Sequence, residues 1–145
     1  MKISWTSLKI SIAGARLSHL VQKDKIWDHG SMAEQARILF YLVQKAKKNG
    51  DMESLKRQCS NSCFEKLKKE MNKEKRSEQK DDPVIKELAV LEVHPGKKNT
   101  PDMFTAVIKT VNKSDVLNGI NGRVDTARWF FVRQGDWWLL NYIRN

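Results

Sequence analysis

Asp125, His94 and Tyr41 are the side chains whose types suit proton transfer in a pocket. A carboxylate or imidazole works as a general base when burial and neighbours tune it. Each also has a plainer reading. Asp125 lies close to Arg123 and Arg128 and reads as an ion-paired strand residue. His94 precedes Pro95-Gly96 and reads as a surface residue at a strand end. His19 and His29 fall near helix ends, where exposure is the ordinary state. No catalytic motif joins these residues. Cys59 and Cys63 stand one helical turn apart if their segment is helical, a spacing that seldom gives good disulfide geometry. No further soft ligand is near, so neither a zinc site nor any other metal or cofactor is expected. The pair reads as two reduced, partly buried thiols in a reducing compartment.

Length and charge set the frame for these residues. The chain has 145 residues, enough for a single domain with one core. Its net charge of +10 favours an acidic partner: nucleic acid, anionic lipid or an acidic protein surface. A lysine-rich solubilising surface gives the same number. No run approaches the ~20 apolar residues of a membrane span. The first 23 residues carry Lys2, Lys9, Arg16 and Lys23 and no acid. Such a bias fits a membrane-surface helix or an organellar presequence as well as an ordinary first helix. The aromatics fall in strand patterns and are not interleaved with basic residues, which argues against nucleic-acid binding.

The elements that must position the candidates fall into two halves. Trp5, Leu8, Ile12, Ala15 and Leu20 recur at helical spacing, with Ile10, Leu17 and Val21 widening the apolar face. Residues 1–30 form this leading helix and a loop; residues 31–145 form the core of the same domain. Ser31 with Glu34 reads as a capping box for a second helix. Met32, Ala36, Leu39, Phe40, Val43 and Ala46 give that helix a continuous stripe, and Asn49-Gly50 ends it. Asp51 caps a short third helix with Met52 and Leu55. A kink is expected over 60–62, and Ser62 with Glu65 reads as the cap of a fourth helix carrying Phe64, Leu67 and Met71. The charged remainder of that helix, Lys66 to Lys80, reads as a solvated tail. After Asp82-Pro83 the pattern changes to strands over 85–94, 103–111, 123–134 and 137–143, with a turn-rich loop over 112–122. Helices followed by consecutive antiparallel strands predict an α+β fold with the helices packed on one face of a sheet.

The final hairpin is the most distinctive stretch. Trp129-Phe130-Phe131-Val132-Arg133 and Trp138-Leu139-Leu140 with Ile143 flank a short Gly-containing turn. Alternation places Asp125, Ala127, Trp129, Phe131 and Arg133 on one face of the third strand and Val124, Thr126, Arg128, Phe130 and Val132 on the other. Neither set is purely apolar, as expected of a sheet half covered or of a homodimer contact through the sheet.

These strands, together with Phe40-Tyr41-Leu42-Val43-Gln44-Lys45-Ala46 followed by Gly50-Asp51 and Leu55, resemble the nuclear-transport-factor-two-like (cystatin-like) superfamily. Within it the likeness is to the domain of the mitochondrial inner-membrane import-motor anchor, the forty-four-kilodalton translocase subunit, and its bacterial relatives. It spans roughly Ser31 to the C-terminus. The family often has an acid two residues before the strand tryptophan. Here that position is Ala127, and Asp125 lies two further back on the same face.

The resemblance implies helices in the concave face of a strongly curved sheet, forming a cone. It also implies a non-enzymatic binding or scaffold module, peripheral to a membrane or tethered to a membrane-bound partner. The partner would be an anionic lipid surface or a protein, and the location cytoplasmic or at the inner membrane. Phe40, Trp129, Phe131, Trp138 and Leu140 would then form core or pocket, and Lys2, Trp5, Lys9 and Arg16 the membrane or anionic-partner surface. The alternative within the same superfamily is a SnoaL-like isomerase or hydratase, using the cone as its pocket and Asp125, Tyr41 and His94 as its chemistry.

Overall fold

A computed structural model describes residues 4–74 and 82–145. The chain is α+β: helices come first and an antiparallel four-stranded sheet follows. The helices are α1 (Trp5–Leu20), α2 (His29–Asn49), α3 (Glu53–Lys56) and α4 (Asn61–Glu74). The strands are β1 (Pro83–His94), β2 (Met103–Asn112), β3 (Asp125–Gln134) and β4 (Trp137–Arg144), paired in sequence order, with a short helix α5 (Lys113–Leu117) between β2 and β3. Register shifts at Lys86 and Leu91 in β1 and at Asn141 in β4 are bulges, which bend the sheet around the helices.

α2 is the central helix because its stripe is continuous. Met32, Ala36, Leu39, Phe40, Val43 and Ala46 are all buried. They meet Phe104, Ala106 and Ile108 of β2, Trp129 and Phe131 of β3, and Trp138 and Leu140 of β4 in one core. Phe104 stacks on Phe131 at 4.6 Å and makes a T-shaped contact with Trp138 at 4.8 Å. The inward set of β3 is thus the one holding Asp125, Ala127, Trp129, Phe131 and Arg133. The outward Phe130 packs against Tyr142 at 5.7 Å.

Several local expectations are corrected. The cap of α2 is Asp28, not Ser31: its carboxylate accepts from the Ser31 amide at 2.9 Å and hydroxyl at 2.7 Å, so the helix starts earlier. A 3-10 turn at Lys25–Trp27 fills part of the expected break and buries Trp27. Gly50 ends α2 with φ 76°, a left-handed conformation that glycine adopts without Cβ strain. Ser60, not Ser62, caps α4 through the Cys63 amide. Cys59 is not helical. The amide of Leu140 donates to the Gln58 carbonyl and the amide of Ser60 to the Leu140 carbonyl, so residues 58–60 add a parallel bridge to the free edge of β4. The strand predicted over 123–134 begins at Asp125, and the loop before it holds α5. The outer part of the Lys66 to Lys80 tail, residues 75–80, lies outside the described residues, as does residue 81.

α1 differs most from expectation. Ala13 and Leu17 are buried against β1, the sheet's edge strand, while Trp5 is 78%, Leu8 41% and Ile12 52% exposed. Two cations fasten the helix to that edge. Lys9 pairs with Glu92 at 2.7 Å, and Arg16 donates to the Val93 carbonyl at 2.9 Å.

Four carboxyls on this scaffold are held below the usual carboxylate range. The Arg133 guanidinium does this for Asp24, the Ser31 hydroxyl for Asp28, the Lys48 ammonium for Asp82, and the Lys9 ammonium, helped by His94, for Glu92. A carboxyl whose folded pKa is depressed binds fewer protons folded than unfolded, so its stabilisation is complete above the unfolded value and is lost as pH falls through the folded one. The urea midpoint is therefore expected to fall as pH drops below about 4. Glu92→Gln should make that fall shallower, because one depressed carboxyl is gone. A midpoint that stays level from about pH 5 to about pH 3 contradicts the expectation.

Candidate functional site

α2, α4, β2 and β3 leave an open cleft of about 550 Å³ between helices and sheet. Its floor is apolar: Phe40 and Val43 from α2, Leu67 from α4, Ile108 from β2, Ala127 and Trp129 from β3, and Ile143 from β4. Its mouth is polar, with Gln44 and Lys47 one turn further along α2, Glu70 on α4, Thr110 on β2, and Arg123 with Asp125 at the start of β3. The change from floor to mouth follows from helix and strand geometry. Phe40 to Gln44 and Val43 to Lys47 are i,i+4 steps on one helix face. Trp129, Ala127 and Asp125 are successive inward positions of one strand.

The expected core or pocket residues divide between the two roles. Phe40 and Trp129 line the cleft, with rings 5.9 Å apart, and both are buried. Phe131, Trp138 and Leu140 are buried away from it in the main core. Trp138 also donates its indole N–H to the Ile26 carbonyl at 3.1 Å.

The three candidate proton-transfer residues do not converge. Asp125 is at the mouth, where its carboxylate accepts from Arg123 at 2.7 Å and its side chain stays 61% exposed. Tyr41 is off the cleft. Its hydroxyl accepts from the Ile85 amide at 3.5 Å and its ring sits edge-on to Phe40 at 5.2 Å. His94 is at the other end of the sheet. It pairs across β2 with Met103, and Met103 pairs with Val132, seven residues from Asp125, or about 23 Å at strand rise. There His94 contacts Glu92 at 3.2 Å. An exposed carboxylate held by an arginine, with no second acid or base beside it among these candidates, is a poor proton-transfer device. It suits a mouth that recognises charge.

Both cysteines are buried and unpaired, and no cluster of metal-ligating side chains occurs among the described residues. The hydrogen bond to the Cys63 sulfur, together with burial, pushes the Cys59 thiol far above its usual range. A thiol in that condition is inert.

The expected membrane-facing set also divides. Lys2 lies outside the described residues. Trp5 is at the exposed start of α1, whereas Lys9 and Arg16 turn toward β1 and are engaged there. Leu8 and Ile12, which belong to the apolar face expected from the sequence, are exposed beside Trp5. The pairing of Asp125 with Arg123 follows the expectation from the sequence, whereas sequence reasoning missed Gln44, Lys47 and Glu70 at the cleft mouth; extending the α2 stripe by one turn past Phe40 and Val43 points to the first two. No described helix is long and apolar enough to cross a membrane. No protein-family model matches this chain, and no curated protein matches it.

Proposed function

We propose that this chain is a non-enzymatic binding or scaffold module of the import-motor-anchor type, working at an anionic membrane surface. The observation that carries the reading is the second apolar face of α1. Ala13 and Leu17 hold one side of the helix on β1, and Trp5, Leu8 and Ile12 leave the other side apolar and unpartnered in the described structure. Residues 4–23 contain no acid. A helix with that composition lies in the interface of an anionic bilayer with its apolar face down. The fold need not open for this, because the exposed face makes no part of the core. The cleft adds support of another kind. An apolar floor under a charged mouth suits a bound partner group that is itself amphipathic, and the scattered Asp125, Tyr41 and His94 do not favour an isomerase or hydratase.

Vesicle sedimentation tests the reading. The domain is expected to bind vesicles containing anionic lipid and to ignore neutral ones, and added salt should weaken binding without abolishing it. Trp5→Ser with Ile12→Ser should cost about 2 kcal/mol of partitioning, roughly thirtyfold, since two large side chains lose their place in the bilayer. Lys9→Gln should act instead on the attachment of α1 to β1. Equal sedimentation with anionic and neutral vesicles at low salt would sink the proposal.

A further inference from the structure

The geometry points to a platform for single-stranded nucleic acid on the outer face of β3 and β4. Alternation puts Arg128, Phe130 and Val132 in an outward row on β3. The register of β4 then sets Arg144 directly opposite Arg128 and Tyr142 directly opposite Phe130. Aromatic and basic side chains that stand apart along the chain are thus interleaved across strands. Both arginines are exposed, and neither makes an ion pair or a hydrogen bond with a described residue. Like charges directly opposite one another destabilise a sheet, and an anion bound between them relieves that repulsion. Lys66 of α4 brings a third cation, its ammonium 4.6 Å from the centre of the Tyr142 ring. The acids that face outward on β1, Glu87 and Glu92, are already held, by Lys109 at 3.6 Å and Lys9 at 2.7 Å. Ile143 and Asn145, on either side of Arg144, line the cleft on the opposite face. The strip over β3 and β4 is therefore cationic.

The chemistry of the strip selects the occupant. A single strand offers phosphates and unpaired bases together. The strip offers an arginine pair for the first and a ring pair for the second, about 7 Å apart along the strands. Tyr142 is 44% exposed, and its ring lies 5.7 Å from that of Phe130, so a base can settle on the pair. A duplex keeps its bases stacked on one another and away from such rings. An anionic bilayer fits less well, because Phe130, Val132 and Leu139 are half-buried and do not project into an acyl layer. A second copy seated here by two-fold symmetry would bring Arg128 and Arg144 of both chains together, which like charges oppose. The inference goes beyond the membrane reading and uses none of its residues. α1 is fastened to β1, at the opposite edge of the sheet from β4.

Fluorescence anisotropy with a labelled oligouridylate of about 12 nucleotides tests this on the whole chain. Arg128→Gln with Arg144→Gln is expected to weaken binding about tenfold. The slope of log K against log salt should shrink by about 1.4, at about 0.7 for each phosphate contact on a single strand. Tyr142→Ala should also weaken binding about tenfold but keep the slope, and Tyr142→Phe should bind like wild type. Lys23→Gln with Lys98→Gln removes the same charge elsewhere and should weaken binding by about threefold at most. All substituted positions are exposed, so the melting temperatures should stay together. Equal losses in the two charge variants would reduce the binding to net charge and overturn the platform. So would a Tyr142→Ala variant that binds like wild type, or a duplex of the same length that binds as tightly as the single strand. A wild type that ignores the oligonucleotide at low salt overturns the inference outright. If that protein sediments with anionic vesicles and its arginine variant does not, the strip belongs to lipid instead. An arginine variant that loses the oligonucleotide but still binds anionic vesicles like wild type supports the platform as a surface separate from α1.

Discussion

Trp138→Ala is expected to lower the unfolding free energy by about 3–5 kcal/mol. Trp138 is 3% exposed, makes T-shaped ring contacts with Trp27 at 5.2 Å and Phe104 at 4.8 Å, and donates its indole N–H to the Ile26 carbonyl. Its backbone carbonyl also accepts from the Gln35 amide group. The residue therefore links β4, β2, α2 and the turn before α2. Truncation leaves a cavity of aromatic size and an unpaired Ile26 carbonyl, and both penalties act together. Trp138→Phe should recover most of the packing and lose the hydrogen bond, for an intermediate cost. Trp137→Ala supplies the contrast. That neighbour is 49% exposed and should cost under about 1 kcal/mol. Urea denaturation of the three variants decides it. Equal midpoints for the alanine substitutions at 137 and 138 would mean that the hairpin does not close the core as described.

The contrast between Trp137 and Trp138 is legible in the sequence because strand alternation separates neighbours. The same holds for the α2 stripe and for the grouping of Asp125 with Trp129, since period and face are local properties. α1 resists such a reading for a physical reason. The helix is apolar on two sides, and its largest side chains mark the side that does not face the core. The small Ala13 allows close approach to β1, so the larger Trp5, Leu8 and Ile12 are left outside. The start of α2 is a competition between two good caps, and Asp28 prevails by accepting two hydrogen bonds from Ser31. The helical spacing of Cys59 and Cys63 is overridden by a tertiary demand, the unsatisfied edge of β4, which draws residues 58–60 into a bridge. The mouth of the cleft is only partly legible. Glu70 on α4 and Arg123 before β3 meet there through the fold, not through spacing.

The Arg133 cluster is the clearest case of a feature that no local pattern signals, and it carries the second large effect. Its guanidinium donates to Asp24 at 2.6 Å and to Asp102 at 2.9 Å, and its Nε donates to the Gly135 carbonyl at 2.6 Å. One side chain thus ties the segment after α1, the β1–β2 turn and the final hairpin together. At 22% side-chain exposure, with Asp102 at 21%, these bonds are partly shielded from water, so they exceed a surface ion pair in weight. Arg133→Met keeps much of the aliphatic stem and takes the guanidinium away from two carboxylates, which keep only their backbone donors, the Ile26 amide on Asp24 and the Gly96 amide on Asp102. It is expected to cost about 2–3 kcal/mol, the range for the loss of charge-assisted bonds. Asp24→Asn alone should cost about 1 kcal/mol, because Asp24 is the more exposed carboxylate. The double variant should cost clearly less than the sum, since the asparagine no longer presents an unpaired charge. Strict additivity in the cycle would show no coupling between Arg133 and Asp24 and leave the contacts to Asp102 and Gly135 to carry the cost. Coupling that shrinks with added salt would show instead that the charge itself holds the three segments together.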